Sequence, residues 1–354
     1  MPLDSSRKAN PLKLMPRVKR LRGSFTLALL ATVIAASLLP CRGQTAITVN
    51  LIANIAIGLL FFLHGARLSR EATVAGATHW RLHLVVLLST FLLFPLLGFA
   101  LKPVLAPLVT PALYTGVLFL CTLPSTVQSS IAFTSIAKGN VPAAVCSASA
   151  SSLIGIFLTP VIVSVTIANR NAGASSSLDG IWDIVMQLLI PFIAGQLLRP
   201  WIAGLLERGV PALRYLDQGS ILLIVYTAFS EAVNEGLWHR TPVAALGGLA
   251  VVDIVLLVVA LLVTSVAARR LGFSKADQIT AVFCGSKKSL ASGIPMAKVL
   301  FSGHALGAVV LPLMLFHQIQ LMVCSVLAQR WHARSTCGEG MPHVTSEPAD
   351  VDVG

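Results

Sequence analysis

The chain has 354 residues, 55% of them hydrophobic and 11% charged, with a mean hydropathy of +0.82. Soluble domains carry about a quarter charged residues. Apolar blocks of about twenty residues, long enough to span a hydrocarbon core, exclude a water-soluble globule. The net charge of +12 does not read as a nucleic-acid footprint, because Arg7, Lys8, Lys13, Arg17, Lys19, Arg20 and Arg22 crowd the N-terminus and the remainder punctuate the apolar blocks. That is the pattern of the positive-inside rule.

In chain order, a basic arm over 1–23 comes first. Ten apolar blocks follow at about 24–40, 46–66, 82–101, 113–136, 141–168, 182–205, 217–236, 243–268, 276–300 and 306–330. An acidic tail over 335–354 carries Glu339, Glu347, Asp350 and Asp352. Arm and tail are expected to be disordered. The first block is expected to stay as a helix, since Pro40-Cys41-Arg42 after it is no small-x-small cleavage site. If every block crosses, nineteen Lys/Arg fall on the side of the N-terminus. Five (Arg42, Lys102, Arg170, Arg240 and Lys298) fall on the other, and Lys287 and Lys288 lie within a block. This asymmetry predicts an all-α membrane protein of about ten transmembrane helices, multi-pass in the cell membrane, with both termini cytoplasmic. Five crossings per half make the two halves, 24–168 and 182–330, inverted repeats within one domain over 24–334.

Two blocks are interrupted in matching places. In the fourth, Pro124 is followed by Ser125, Thr126, Gln128, Ser129 and Ser130; in the ninth, Gly285, Gly293 and Pro295 bracket Ser286, Lys287, Lys288, Ser289 and Ser292. Proline removes a backbone donor and glycine loosens the chain. The freed groups must be buried in protein or line a wet cavity. At an offset of 160 positions, Ser129, Ala137 and Lys138 match Ser289, Ala297 and Lys298. Paired interrupted segments are a sequence pointer to a transporter's midplane site.

Lys287 and Lys288 lie near the centre of their block, where a charge costs roughly 2.5–3.5 kcal/mol. Asp253 sits at similar depth in the eighth block and is expected to approach one of them as its charge partner. Ser147, Ser149 and Ser151 follow in the fifth block. Ser147 and Ser151 share a face, which suits either cation coordination or close helix packing. His64, His79 and His317 read as structural. The six cysteines have no ligand spacing, so no metal or redox centre is expected. HExxH, GxSxG and Walker A patterns are absent, and Ser135-Ile136-Ala137-Lys138 fits SxxK only at a membrane edge. The chain does not read as an enzyme.

At the broken segments the chain resembles the SBF-like branch of the bile acid:sodium symporter superfamily. The likeness rests on Leu123-Pro124-Ser125-Thr126-Val127-Gln128-Ser129-Ser130, Ala137-Lys138-Gly139-Asn140 and Leu158-Thr159-Pro160 in the first half. In the second it rests on Phe283-Cys284-Gly285-Ser286-Lys287-Lys288-Ser289-Leu290 and Gly293-Ile294-Pro295, with Phe61-Phe62-Leu63-His64-Gly65 a weaker match. The resemblance implies a panel domain and a core domain in which discontinuous helices four and nine cross. It also implies an organic anion coupled to sodium, with one sodium near Ser129, Ser130 and Ser151. The family's acidic residue in helix nine is missing here. A lysine in its place can stand where a cation would bind, carry a proton with an aspartate, or neutralise an anionic substrate.

The sequence therefore predicts a secondary transporter of a small organic anion, working by alternating access and coupled to sodium or protons. The rival is a non-transporting membrane regulator on the same fold. The expected partners are the solute and the lipid bilayer, with no nucleic acid and no cofactor. Oligomeric state, and which lysine faces the site, are not legible.

Overall fold

A computed structural model describes residues 15–67, 79–167, 185–208, 210–234, 236, 238, 241–301 and 306–338, and among these there is no β-strand. The principal helices are α1 (Met15–Leu38), α2 (Gly43–Arg67), α3 (Trp80–Ala100), α4 (Pro111–Thr122), α5 (Gln128–Ile136) and α6 (Val141–Thr166). They continue as α7 (Ile190–Arg208), α8 (Val210–Asn234), α9 (Val243–Arg270), α10 (Lys275–Gly285), α11 (Leu290–Leu300) and α12 (Leu306–Gly338). Five spans, α2, α3, α6, α9 and the Leu306–Arg334 part of α12, are long and apolar enough to cross a membrane. Leu51, Ile55, Leu84, Leu92, Phe157 and Val251 are exposed along these helices. Such a coat is stable against lipid and not against water. The protein is an all-helical, multi-pass membrane protein.

The ends differ from the expected boundaries. Helix α1 already begins at Met15, inside the basic arm, because Pro16 occupies a first-turn position where its missing N–H costs nothing. Helix α12 continues past residue 334 to Gly338. Residues 1–14, and the acidic tail from Glu339 onward, lie outside the described residues.

Helices α1, α2, α7 and α8 pack on one another, and α10 is enclosed by α3, α5, α6 and α9. Between α2 and α7 the approach is set by paired glycines: a Cβ on Gly65 would strike the Phe192 carbonyl, and one on Gly195 the Phe62 carbonyl. Small residues permit this backbone contact where lipid supplies no hydrophobic drive. Helix α12 packs against α4, α5, α8, α9 and α11, with Phe316 edge-on to Phe94.

Candidate functional site

The site is built from three local faults in helical hydrogen bonding. The first is in α3, where Ser89–Leu93 forms a π turn and the Phe94 N–H reaches back to Ser89 O. In that register the next amide, at position 95, should satisfy Thr90 O. Residue 95 is proline and has no N–H, so Thr90 O is released. Turns of this kind recur at functional sites.

The second fault lies between α4 and α5. The residue before a proline is driven out of helical geometry, and Leu123 before Pro124 is extended, with φ −72° and ψ 152°. The Ser125 N–H, which a continuing helix would direct to Cys121 O, instead donates to Ser151 Oγ at 3.0 Å. Cys121 O and Leu123 O are left at the negative C-terminal end of α4. Gly155 on α6 admits the Pro124 ring; a Cβ there would lie 2.7 Å from it.

The third fault, Ser286–Ser289, separates α10 from α11. Ser289 caps α11, its hydroxyl accepting from the Ser292 N–H at 3.2 Å. The two breaks are stitched together. Ser289 N–H donates to Pro124 O at 2.9 Å. Ser125 Oγ donates to Cys284 O at 2.5 Å and Ser130 Oγ to Phe283 O at 2.9 Å.

Into this crossing Lys288 inserts its ammonium. Nζ donates to Thr90 O at 2.8 Å, Cys121 O at 2.9 Å and Leu123 O at 2.7 Å. It also lies 4.2 Å from the centre of the Phe94 ring. An ammonium has three N–H donors, and each finds a carbonyl released by one of the two upstream faults. The Lys288 backbone is clamped as well: its N–H donates to Gln320 Oε1 and its carbonyl accepts from Gln320 Nε2, both at 2.9 Å.

Residues 23–333, which contain every group in this site, match the SBF-like CPA transporter family. The chain belongs to that family. It is 65% identical over 320 residues to an uncharacterised protein of Pseudomonas aeruginosa, covering 90% of this chain and 96% of that one. With YfeH of Escherichia coli, named as a candidate symporter, it shares 55% over 315 residues, 88% of this chain and 93% of the relative. Rat sodium/bile acid cotransporter 7 is 28% identical over 331 residues, 89% of this chain and 94% of the relative. The family is one of transporters, not of enzymes.

In this SBF-like transporter the two adjacent lysines diverge. Lys287 Nζ lies 4.4 Å from the centre of the Phe133 ring and 5.4 Å from that of Phe283, with Trp331 packed behind Phe283. Lys288 faces the carbonyls. Both side chains are fully buried.

No ion pair or hydrogen bond joins Asp253 to either lysine among the described residues. Asp253 is fully buried on α9, yet neither carboxylate oxygen has a hydrogen-bond partner among the described residues. The only ion pair among them joins Arg67 to Asp217, between α2 and α8. Lys288 turns instead to a cage of peptide dipoles, which satisfies all three of its donors where one carboxylate would not.

The hydroxyls divide their roles. Thr126 bonds Ser129, Ser151 holds the first break, and Ser147 bonds His83 at 2.6 Å, so the shared face of Ser147 and Ser151 serves two different neighbours. Ser286 Oγ donates back to Val282 O at 2.6 Å. Ser149 is half-buried on α6 and Gln128 is exposed at the start of α5. Lys138 and Lys298, which match at the 160 offset, also differ. Lys138 is exposed with φ 58°. Lys298 reaches from α11 to Asn50 Oδ1 on α2 at 2.7 Å and to Thr227 Oγ1 on α8 at 3.1 Å.

Thr90, Phe94, Cys121 and Gln320 were not anticipated from the sequence. Pro95 was the available signal for Thr90, a proline inside an apolar block. Gln320 announces itself only as a polar residue in the tenth block.

Proposed function

We propose that this protein is a secondary active transporter that carries a small organic anion across the cell membrane by alternating access about the crossed breaks. Ten helices in two inverted five-helix repeats, with both termini in the cytoplasm, are the architecture that fits the charge asymmetry and the paired interruptions. The observation that carries this reading is the caged ammonium of Lys288 in the middle of an apolar bundle. Buried charges within membrane helices usually mark solute or ion paths.

An anionic solute suits the site for two reasons. Lys287 and Lys288 give the region of the crossing a formal excess of positive charge; the Lys288 donors are taken by carbonyls, so that charge would act on an anion at a distance and not by direct contact. The N-terminal ends of α5 and α11 also open there, and helix N-termini favour anions. The names of YfeH and of the rat relative support symport; the coupling ion is sodium or a proton. Bile acid is not carried over, because the carboxylate expected in the ninth block is a lysine here.

The test is uptake of labelled organic anions into liposomes holding the purified protein, under an imposed sodium gradient and, separately, a proton gradient. Uptake that follows one gradient and disappears in Lys288→Ala supports the reading and identifies the coupling ion. Full uptake in both Lys287→Ala and Lys288→Ala would remove the lysines from the mechanism. An absence of uptake for every anion, alongside capture of a partner protein, would favour a membrane regulator on the same fold.

A further inference from the structure

We propose that the Lys288 ammonium is a tethered cation, filling a monovalent-cation site made of Thr90 O, Cys121 O and Leu123 O, and that removing it leaves a site for a free potassium, ammonium or sodium ion. The proposal rests on the crossing being the transport centre and says which cation stands there.

Three features make the cage a cation site, not merely a place where a lysine comes to rest. All three ligands are backbone carbonyls, the oxygen type that replaces a hydration shell in potassium channels. Each carbonyl is released by the fold: Thr90 by the π turn before Pro95, Cys121 and Leu123 by the break at Pro124. Two of them also form the negative end of α4, and the face of Phe94 covers the same position, 4.2 Å from the ammonium nitrogen. Without a cation, three carbonyls in a fully buried place would have no donor, a costly arrangement.

The ammonium-to-oxygen distances of 2.7, 2.8 and 2.9 Å match an ion of ammonium or potassium size. Sodium, being smaller, would have to draw the carbonyls inward. In the wild type, the cation at the crossing is therefore part of the chain.

The experiment is thermal unfolding of the full-length detergent-solubilised protein in ammonium, potassium, sodium or choline chloride at equal ionic strength. Wild type is expected to unfold at the same temperature in ammonium, potassium and choline. Lys288→Ala is expected to unfold at a lower temperature in choline and to recover in a saturable way by about 5 °C. The expected order is ammonium, then potassium, then sodium. Lys288→Met, whose stem refills the space, is expected to be destabilised without recovery.

A folded Lys288→Ala indifferent to the four salts overturns the proposal. So does an ammonium or potassium shift in wild type that persists unchanged in the variant. If Lys288→Ala folds only in ammonium or potassium, the proposal stands. If it folds in none, Lys288→Ser, whose hydroxyl satisfies one carbonyl, is measured by the same criteria. Failure of the transport reading is separable: wild type without solute flux, beside a Lys288→Ala that gains cation dependence, would retain the tethered cation and discard the transport.

Discussion

Replacing Lys288 by methionine and, separately, Lys287 by methionine tests whether the carbonyl cage holds the crossing together. Both changes keep an unbranched stem of similar volume and remove one buried charge. At position 288 the loss is three hydrogen bonds from an ammonium, each worth about 1.5–3 kcal/mol when the donor is charged. The gain is relief from burying that charge, so the pair terms do not simply add. The three carbonyls left without a donor cost about 1–3 kcal/mol each, and with the relief subtracted the net loss is about 3–5 kcal/mol. At position 287 the contacts with Phe133 and Phe283 contribute about 0.5–2 kcal/mol, offset by the same desolvation relief. Domains of 150–250 residues shift about 2–4 °C per kcal/mol. Lys288→Met should therefore unfold about 10 °C below wild type and Lys287→Met within a few degrees of it. Tryptophan fluorescence on heating, in one detergent and one salt, reads both. Equal midpoints for the two variants, or an unchanged Lys288→Met, would refute the energetic argument for the cage.

Pro95→Ala restores an N–H that can satisfy Thr90 O in the π register, so it competes with Lys288; solute uptake should fall, while an unchanged rate would show that the Thr90 contact is dispensable. Gly65→Ala drives a methyl into the Phe192 carbonyl and should destabilise the α2–α7 contact by about 1–3 kcal/mol, seen as a lower unfolding midpoint or loss of monodispersity; a wild-type midpoint would mean that the helices can separate freely. Asp253→Leu removes a buried carboxyl group that has no hydrogen bond and should raise stability by about 1–3 kcal/mol, whereas a fall would reveal a compensating partner such as a bound ion. Lys298→Ala cuts the link from α11 to Asn50 and Thr227 and should lower the midpoint by a few degrees; no change would show that the link carries no load.

The breaks were legible because they are local events. Pro124 disfavours the helical geometry of Leu123 whatever surrounds it, and Gly285, Ser286 and Ser289 weaken the helix on either side of the lysines. The burial of Lys287 and Lys288 was legible for the same kind of reason, their distance from either end of an apolar block. Their directions were not. Two adjacent residues point to different neighbours once the chain leaves the helix, and only the position of α3 and α4 decides which one meets carbonyls and which meets rings. Asp253 was singled out by depth, and depth does not say whether a carboxylate or a carbonyl takes the ammonium's donors. Likewise the match of Lys138 with Lys298 holds in the sequence and ends in space, where one is exposed and the other bridges three helices.

What the sequence by itself determined is the solvent of this protein and the places where its helices must fail. Block length and charge asymmetry set the first, and proline and glycine set the second; both act within a few residues of themselves. What only the tertiary structure decided is where the released carbonyls and the buried ammonium meet. Thr90, Cys121, Leu123 and Lys288 are spread across nearly 200 positions. A backbone carbonyl has no identity in the sequence: any residue carries one, and it becomes a ligand only when packing brings a donor to the one the helix has given up.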